Sequence, residues 1–302
     1  MMSKSVYADN HLDIKKQNDA WTNLYNFVPT KSHVLDVGCS SGNFGRELID
    51  KKQCTVVGID ICKDDIVLAR EYLTEVYERN VEKDELSDLG QFDVIIMADV
   101  IEHLIDPVGA LKKIASQLKP NGRLVFSVPN MANIAVRLEL LAGRFEYRKY
   151  GLLDETHLHY YDRVQLEMVL SNSGLSVITY SNTLRDIPTD MLEGYLHNMG
   201  LKASDRFREL ATNLDATTFQ FVGVAIKSKK PHTAIHTEVV RDFVSGEFDK
   251  LIKDANENKK RYLELESSRD RAVEQLQSIL NSRGWKILNA MHMLKNKFMK
   301  KK

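Results

Sequence analysis

Short apolar runs of four to seven residues recur along the first three quarters of the chain, separated by stretches whose apolar positions fall at helical spacing. Val34 to Val37, Thr55 to Asp60, Phe92 onward, Lys119 to Asn130, Leu175 to Tyr180 and Phe219 to Ile226 read as strands. Runs this uniformly apolar suit a sheet buried on both faces. Between them, about Asn43 to Lys51, Lys63 to about Val76, a segment ending near Leu118, and Arg163 to Ser173 read as helices, the last closed by Gly174. Trp21, Leu24, Tyr25 and Val28 predict a leading helix before Pro29, placed on the sheet as an N-terminal cap over residues 1–30. A third strand is placed near Tyr77 to Val81, and Pro188 to Leu214 reads as two helices broken near Gly200. This alternation predicts an α/β, Rossmann-like sheet with helices on both faces, spanning residues 31–230. After a linker over 231–246, a helical extension covers 247–302. There Phe248, Ala255, Tyr262, Arg269 and Leu276 fall at one heptad position, and Leu251, Asn258, Leu265, Ala272 and Ile279 at the other. The pattern predicts a weak coiled coil, suited to self-association or to folding back on the main domain.

The first strand feeds the loop Asp36-Val-Gly-Cys-Ser-Ser-Gly. Gly38 and Gly42 allow tight turning, and the following helix presents its N-terminus to whatever the loop holds. A dinucleotide fingerprint would have glycine where this chain has Ser40, and it would lack Asp36 just before the first glycine. Asp60 ends the second strand, roughly twenty residues on, where a carboxylate can accept from both hydroxyls of an adenosine ribose.

From about Val34 to Lys227 the chain resembles the class I S-adenosylmethionine-dependent methyltransferases, and within them a bacterial branch found in cell-surface polysaccharide gene clusters. The broad match lies in DVGCSSG (36–42) and FDVIIMADVIEHL (92–104). The narrower one lies in SVPNMANIAVRLELLAGRFEY (127–147) and GLLDETHLHYYDR (151–163). The resemblance implies a seven-stranded sheet with the last strand antiparallel, S-adenosyl-L-methionine as cofactor, and methyl transfer as the activity. It places Asp36, Gly38, Cys39, Ser40, Gly42, Asp60 and Ile61 around the cofactor. Asn80 stands where related enzymes offer an aspartate to the adenine, with Asp84 as the competing candidate, and Asp99 is set against the cofactor's amino group.

The acceptor is expected beyond the fourth and fifth strands, because ligands of open parallel sheets bind past their carboxyl ends. Asp99, Glu102, His103, His157 and His159 fall there, with an insertion at Met131 to Tyr150 read as a helical lid carrying Arg137, Arg144 and Arg148. A hydroxyl acceptor must lose a proton of high pKa, so a base or a metal is required. His103 and His157 are the candidate bases, supported by Glu102. Asp99, Glu102, His103 and His157 also resemble the metal-binding set of small-RNA terminal 2′-O-methyltransferases and ubiquinone-pathway O-methyltransferases, which would imply Mg2+ or Mn2+. The shorter Asp99 stands where the former have glutamate. The alternative is structural: these side chains hold the lid, and His159 joins Tyr160 and Tyr161 in an aromatic cluster.

Charge changes the picture at one end. Forty-two basic residues balance 42 acidic ones, yet residues 281–302 hold seven basic residues and no acid, leaving minus seven over residues 1–280. An acidic main domain argues against nucleic acid as acceptor. The terminal SRGWKILNAMHMLKNKFMKKK pairs an apolar stripe with cations, as an interfacial helix does, and resembles the S-x-x-W-K/R endings of bacterial glycan-assembly proteins. Peripheral contact with the membrane or with glycan-assembly enzymes is expected there. Cys39, Cys54 and Cys62 match no zinc or disulfide spacing, and no signal-peptide core or eighteen-residue apolar run occurs, so the expected location is cytoplasmic. The expected activity is O-methylation of a sugar hydroxyl in a cell-surface polysaccharide or its precursor. RNA or small-metabolite O-methylation, and a non-catalytic scaffold for glycan assembly, are the alternatives.

Overall fold

The computed structural model describes residues 16–228 and a few helical positions between 257 and 271. The chain divides into two units, 1–234 and 235–302. In chain order the first comprises α1 (Ala20–Phe27), β1 (His33–Val37), α2 (Asn43–Lys52), β2 (Thr55–Asp60), α3 (Lys63–Ala69), β3 (Glu75–Glu78), β4 (Phe92–Ala98), α4 (Pro107–Gln117), β5 (Leu118–Pro129) and α5 (Ile134–Leu141). It continues with α6 (Arg163–Asn172), β6 (Leu175–Tyr180), β7 (Thr183–Leu184), α7 (Thr189–Asn198), α8 (Asp205–Thr212), α9 (Leu214–Thr217) and β8 (Thr218–Lys227).

The sheet runs β3-β2-β1-β4-β5-β8-β6, with β7 appended to β8. β1 to β5 pair in parallel, and β8 enters antiparallel between β5 and β6. The seven expected strands and the antiparallel last strand are therefore present, and the two-residue β7 is an addition. Strand order reverses direction at β1, between β2 and β4, which opens a crevice at the carboxyl ends of these strands.

Side-chain alternation splits the core in two. Leu35, Val57, Ile95 and Leu124 face one cluster with Leu111 of α4 and Leu166 of α6. Val34, Val56, Ile96 and Val125 face the other, with Leu24 of α1, Leu48 of α2 and Ile66 of α3. Asp19 caps α1 by accepting from Thr22 N, and α1 packs on the sheet at β5 and β8. A third cluster joins Ile134 and Leu138 of α5 to Leu192 and Leu196 of α7, so the segment between β7 and β8 buttresses the lid helix.

Two boundaries differ from the sequence expectation. α3 stops at Ala69 instead of near Val76, and β3 starts at Glu75 instead of Tyr77. The β-branched Thr74 and Val76 explain this: Thr74 Oγ1 accepts from Val56 N at 3.1 Å, and Val76 pairs with Gly58. The lid is helical only over α5. Asn133 caps it through Ala135 N, Gly143 ends it at φ 72°, and the remainder to Tyr150 is irregular and exposed. The heptad pattern and the basic terminal segment lie outside the described residues, apart from scattered helical positions such as Leu265, which is exposed. Among the described residues, no helix is long and apolar enough to cross a membrane.

Candidate functional site

The loop after β1 is drawn onto β2: Gly38 N and Cys39 N both donate to Ile59 O, at 2.8 and 3.1 Å. Gly38 and Gly42 take φ of 73° and 81°, and Ser40 takes 45°. A Cβ on Gly42 would come 3.0 Å from Ala69 Cα, so both space and backbone select glycine at the start of α2. Cys39 turns its thiol into the core toward Gly58, and burial pushes that thiol up, so this residue serves the loop through its backbone.

Three carboxylates converge on this loop. Asp60 Oδ2 accepts from Ser40 N and its Oδ1 from Cys62 N, both at 2.8 Å, leaving each oxygen a lone pair for a further donor. Asp65, in the first turn of α3, accepts from Ser40 Oγ at 3.0 Å. Asp36 is 3% exposed, and its Oδ2 has no hydrogen-bond partner. Burial, and then the Asp60 charge, push Asp36 up to about 7. Such an orphaned acceptor beside a glycine cradle is suited to a cationic or N–H-bearing ligand. Next to it Ile61 is 70% exposed, an apolar surface fit to cover a flat ring.

Asn80 does not fit its expected part. Its Oδ1 accepts from Glu82 N and Lys83 N at 2.9 and 3.2 Å, and its own N–H donates to Asp84 at 2.7 Å. Both lone pairs of the side-chain carbonyl are spent on a turn, so adenine is not read through that oxygen.

The second half of the site follows β4. Asp99 sits at φ 53°, unusual for a side chain other than glycine. Its carboxylate accepts from Ser127 Oγ at 2.7 Å and from Gln220 Nε2 at 3.0 Å to each oxygen. Burial raises its pKa against these two donors. Ile101–His103 then form a single 3-10 turn that sinks Ile101 into the core and carries Glu102 with it, 1% exposed. The segment 156–159 is stitched to this turn: Leu158 N and His159 N donate to Glu102 O at 2.9 and 3.0 Å, and His103 Nδ1 lies 3.0 Å from Thr156 O. The two motifs placed together by sequence thus meet in space.

A carbonyl can only accept, so His103 Nδ1 carries a proton, and in the neutral tautomer this selects, the lone pair is on Nε2. The His157 ring stands edge-on to His103, centroids 4.9 Å apart, with Nε2 4.0 Å from Glu102 Oε1. Neither Glu102 oxygen has a hydrogen-bond partner. Burial, then Asp99, raises Glu102 well above the usual carboxylate range, while burial, then His103, lowers His157. Both shifts favour the uncharged form of the partner concerned. Glu102, His103 and His157 can bring one donor atom each within 4.8 Å of one another. Asp99 is not part of that set, because its backbone turn and the Ser127 and Gln220 donors hold it elsewhere. His159 stacks on Tyr161 at 6.0 Å, the aromatic-cluster alternative.

A profile for a methyltransferase domain matches residues 14–180, more than half of the chain. The chain belongs to the methyltransferase-domain family. Among its relatives is the ubiquinone biosynthesis O-methyltransferase of Vibrio parahaemolyticus serotype O3:K6, 30% identical over 132 residues, covering 42% of this chain and 55% of that enzyme. The enzyme of the same name from Xanthomonas axonopodis pv. citri is 29% identical over 165 residues, covering 52% and 67%. The matched stretch thus spans little more than half of the Vibrio enzyme. Solved structures with similar chain paths include the CcbJ methyltransferase of Streptomyces caelestis, with TM-score 0.49, 12% identity and coverage of 75% of this chain and 97% of that one. The magnesium protoporphyrin IX methyltransferase of Synechocystis PCC 6803 gives 0.46, 16%, 74% and 91%.

Sequence reasoning missed Asp65, Gln220 and Ser127. Asp65 left one signal, an acid in the first turn of a helix facing the glycine loop. Gln220 left another, the long polar side chain within the apolar run FQFVGVAI.

Proposed function

We propose that this chain is an S-adenosylmethionine-dependent O-methyltransferase acting on a sugar hydroxyl of a cell-surface polysaccharide or its precursor. The observation that carries methyl transfer is the juxtaposition, at the carboxyl ends of adjacent strands, of an acid-lined glycine cradle with a histidine whose free lone pair is fixed by its neighbour. Asp36, the backbone from Gly38 to Gly42, Asp60 and Ile61 fit the cofactor, since an orphaned carboxylate oxygen, spare lone pairs and an exposed apolar side chain match its cationic, ribose and ring portions. When bound, S-adenosylmethionine supplies an electrophilic methyl group. The chain's own task is then to orient a hydroxyl and remove its proton.

His103 Nε2 takes that proton, and the imidazolium so formed is stabilised by Thr156 O at Nδ1. The Glu102 backbone carbonyl ties segment 156–159 to the turn that carries His103, and His157 packs edge-on against the His103 ring. A metal-assisted variant rests on the same three side chains. Two imidazoles and one carboxylate suit Mn2+ better than Mg2+, which prefers an all-oxygen shell. The sugar acceptor is supported by the resemblance of residues 127–147 and 151–163 to the polysaccharide-cluster branch. A second reading, a small metabolite as acceptor, is favoured by relatives named ubiquinone biosynthesis O-methyltransferase. The basic segment 282–302 would hold the enzyme at the inner membrane face or on glycan-assembly partners, with residues 247–281 available for self-association.

Calorimetric titration of S-adenosylhomocysteine into wild type and Asp60→Ala, with and without Mg2+ or Mn2+, tests the reading. Micromolar binding lost in the variant is expected. A folded wild type that binds nothing removes the enzyme and leaves the scaffold.

A further inference from the structure

Five rings lead from the buried carboxyl to the surface. His103 meets His157 at 4.9 Å, His157 meets Tyr160 at 6.3 Å, Tyr160 meets Phe145 at 6.1 Å, and Phe145 meets Tyr147 at 5.5 Å. All four contacts are edge-to-face, with interplanar angles of 68° to 82°. Exposure rises along the series: Tyr160 is half-buried, Phe145 is 42% exposed and Tyr147 is 59% exposed. The two outer rings lie in the irregular part of the lid, residues 143–150, where a core role would require burial. Large aromatic side chains held at the mouth of a polar site are costly in water unless something covers them.

The polar groups beside the rings narrow what that is. Burial, and then the adjoining Tyr147 hydroxyl, push Tyr160 up to about 12, and its hydroxyl oxygen is buried, which leaves Phe145 and Tyr147 as the exposed rings of the series. Arg137 donates to Ala132 O and Arg148 pairs with Glu139, so two of the three lid arginines hold the lid itself. Phe145, Tyr147 and Tyr150 stand exposed among Arg144, Glu146, Arg148 and Lys149, which sets aromatic surface beside polar groups, a combination that fits a ring with an apolar C–H face and hydroxyls at its edge.

Resting on the reading of this site as an O-methyltransferase, we propose that Phe145 and Tyr147 form an outer acceptor subsite that stacks on a second ring of the acceptor, one unit beyond the ring whose hydroxyl meets His103. The acceptor class this defines is a glycoside of at least two sugar rings. A one-ring acceptor fills the inner position and leaves the outer rings uncovered.

The test measures transfer of labelled methyl groups by the full-length chain to paired probes, methyl monoglycosides and the disaccharides extended from them. Binding of S-adenosylhomocysteine is checked calorimetrically in every protein. With wild type, at least one disaccharide should have a KM about tenfold below that of its monoglycoside. Tyr147→Ala and the milder Phe145→Leu should erase that advantage, with kcat and the monoglycoside KM within about twofold of wild type. Equal losses on one-ring and two-ring probes would mean that the lid rings only hold the fold, and would overturn the proposal. So would an unchanged disaccharide KM in both variants, or a wild type that binds the cofactor product and methylates no glycoside. Failure to bind S-adenosylhomocysteine sinks the methyltransferase reading instead, and is recognised separately.

Discussion

Asp36 offers a measurement in which stability and ligand binding move in opposite directions. Its carboxyl is buried with one oxygen unpartnered, and its pKa is raised from 3.8 to about 7, first by burial and then by Asp60. An acid whose pKa is higher in the folded state binds its proton more tightly there. The associated stability is fully present below the unfolded value and is lost as pH rises through the folded one. From these two values the cost is about 1.7 kcal/mol at pH 5 and about 4 kcal/mol at pH 8, a difference of about 3 kcal/mol. Asp36→Asn removes the titration while nearly keeping the shape. In thermal melts without ligand, wild type should therefore lose ~8 °C more than the variant between pH 5 and pH 8. Cofactor binding should run the other way. A cationic ligand favours the carboxylate, so S-adenosylmethionine binding should release a proton near pH 7, seen by calorimetry in buffers of different ionisation enthalpy. Asp36→Asn should bind about tenfold or more weaker, having lost a charge-assisted hydrogen bond. Parallel pH–stability curves for the two proteins would refute the reasoning, because they would mean that Asp36 is already ionised in the fold.

Glu102→Gln should melt at or above the wild-type temperature, since neither carboxyl oxygen is hydrogen-bonded, while kcat falls about 100-fold on any hydroxyl acceptor. Activity within threefold of wild type would leave Glu102 a packing residue. If the fall is matched in wild type by a chelator and reversed by Mn2+ alone, the three-ligand reading gains over the simple base. Gln220→Leu should cost ~2–3 kcal/mol in urea unfolding at neutral pH, because it strips the Asp99 carboxylate of a donor that reaches both oxygens. A loss below about 0.5 kcal/mol would show that water replaces the amide.

The sheet was legible because burial on both faces writes itself as unbroken apolar runs, and β2 and β6 were placed to the residue. The boundary between α3 and β3 was not legible. Lys63 to Val76 carries a plausible helical pattern, and only the pairing of Thr74 and Val76 with β2, a contact remote in sequence, ends the helix early. The same cause explains the lid. Leu138, Leu140 and Leu141 suggest a longer helix, but the chain beyond Gly143 is tied to residues 151–155 by Arg148 N to Leu153 O and Glu155 N to Arg148 O. In the candidate site, the gathering of Asp36, Gly42 and Asp60 around one loop was readable because their spacing is local to strand ends. The contacts of Asn80 and Asp99 were not legible because they depend on partners elsewhere: Glu82 and Lys83 around a turn, Gln220 across 121 residues.

That last pairing also accounts for the geometry at the end of β4. A left-handed residue other than glycine costs on the order of 1 kcal/mol, and Asp99 bears that cost where glycine would not. Glycine would leave Ser127 Oγ and Gln220 Nε2 without their acceptor. With Asp99 in place, β8 reaches across β5 and fixes the exit of β4, and the next turn is compelled to bury Ile101 and Glu102. The orientation of His103 is therefore set from two directions: by the Asp99 clamp at the strand end, and by Thr156 O from the lid side. The strain at Asp99 is thus best understood as the means by which the antiparallel strand, the element furthest in sequence from β4, holds the exit of β4, and with it His103, in place.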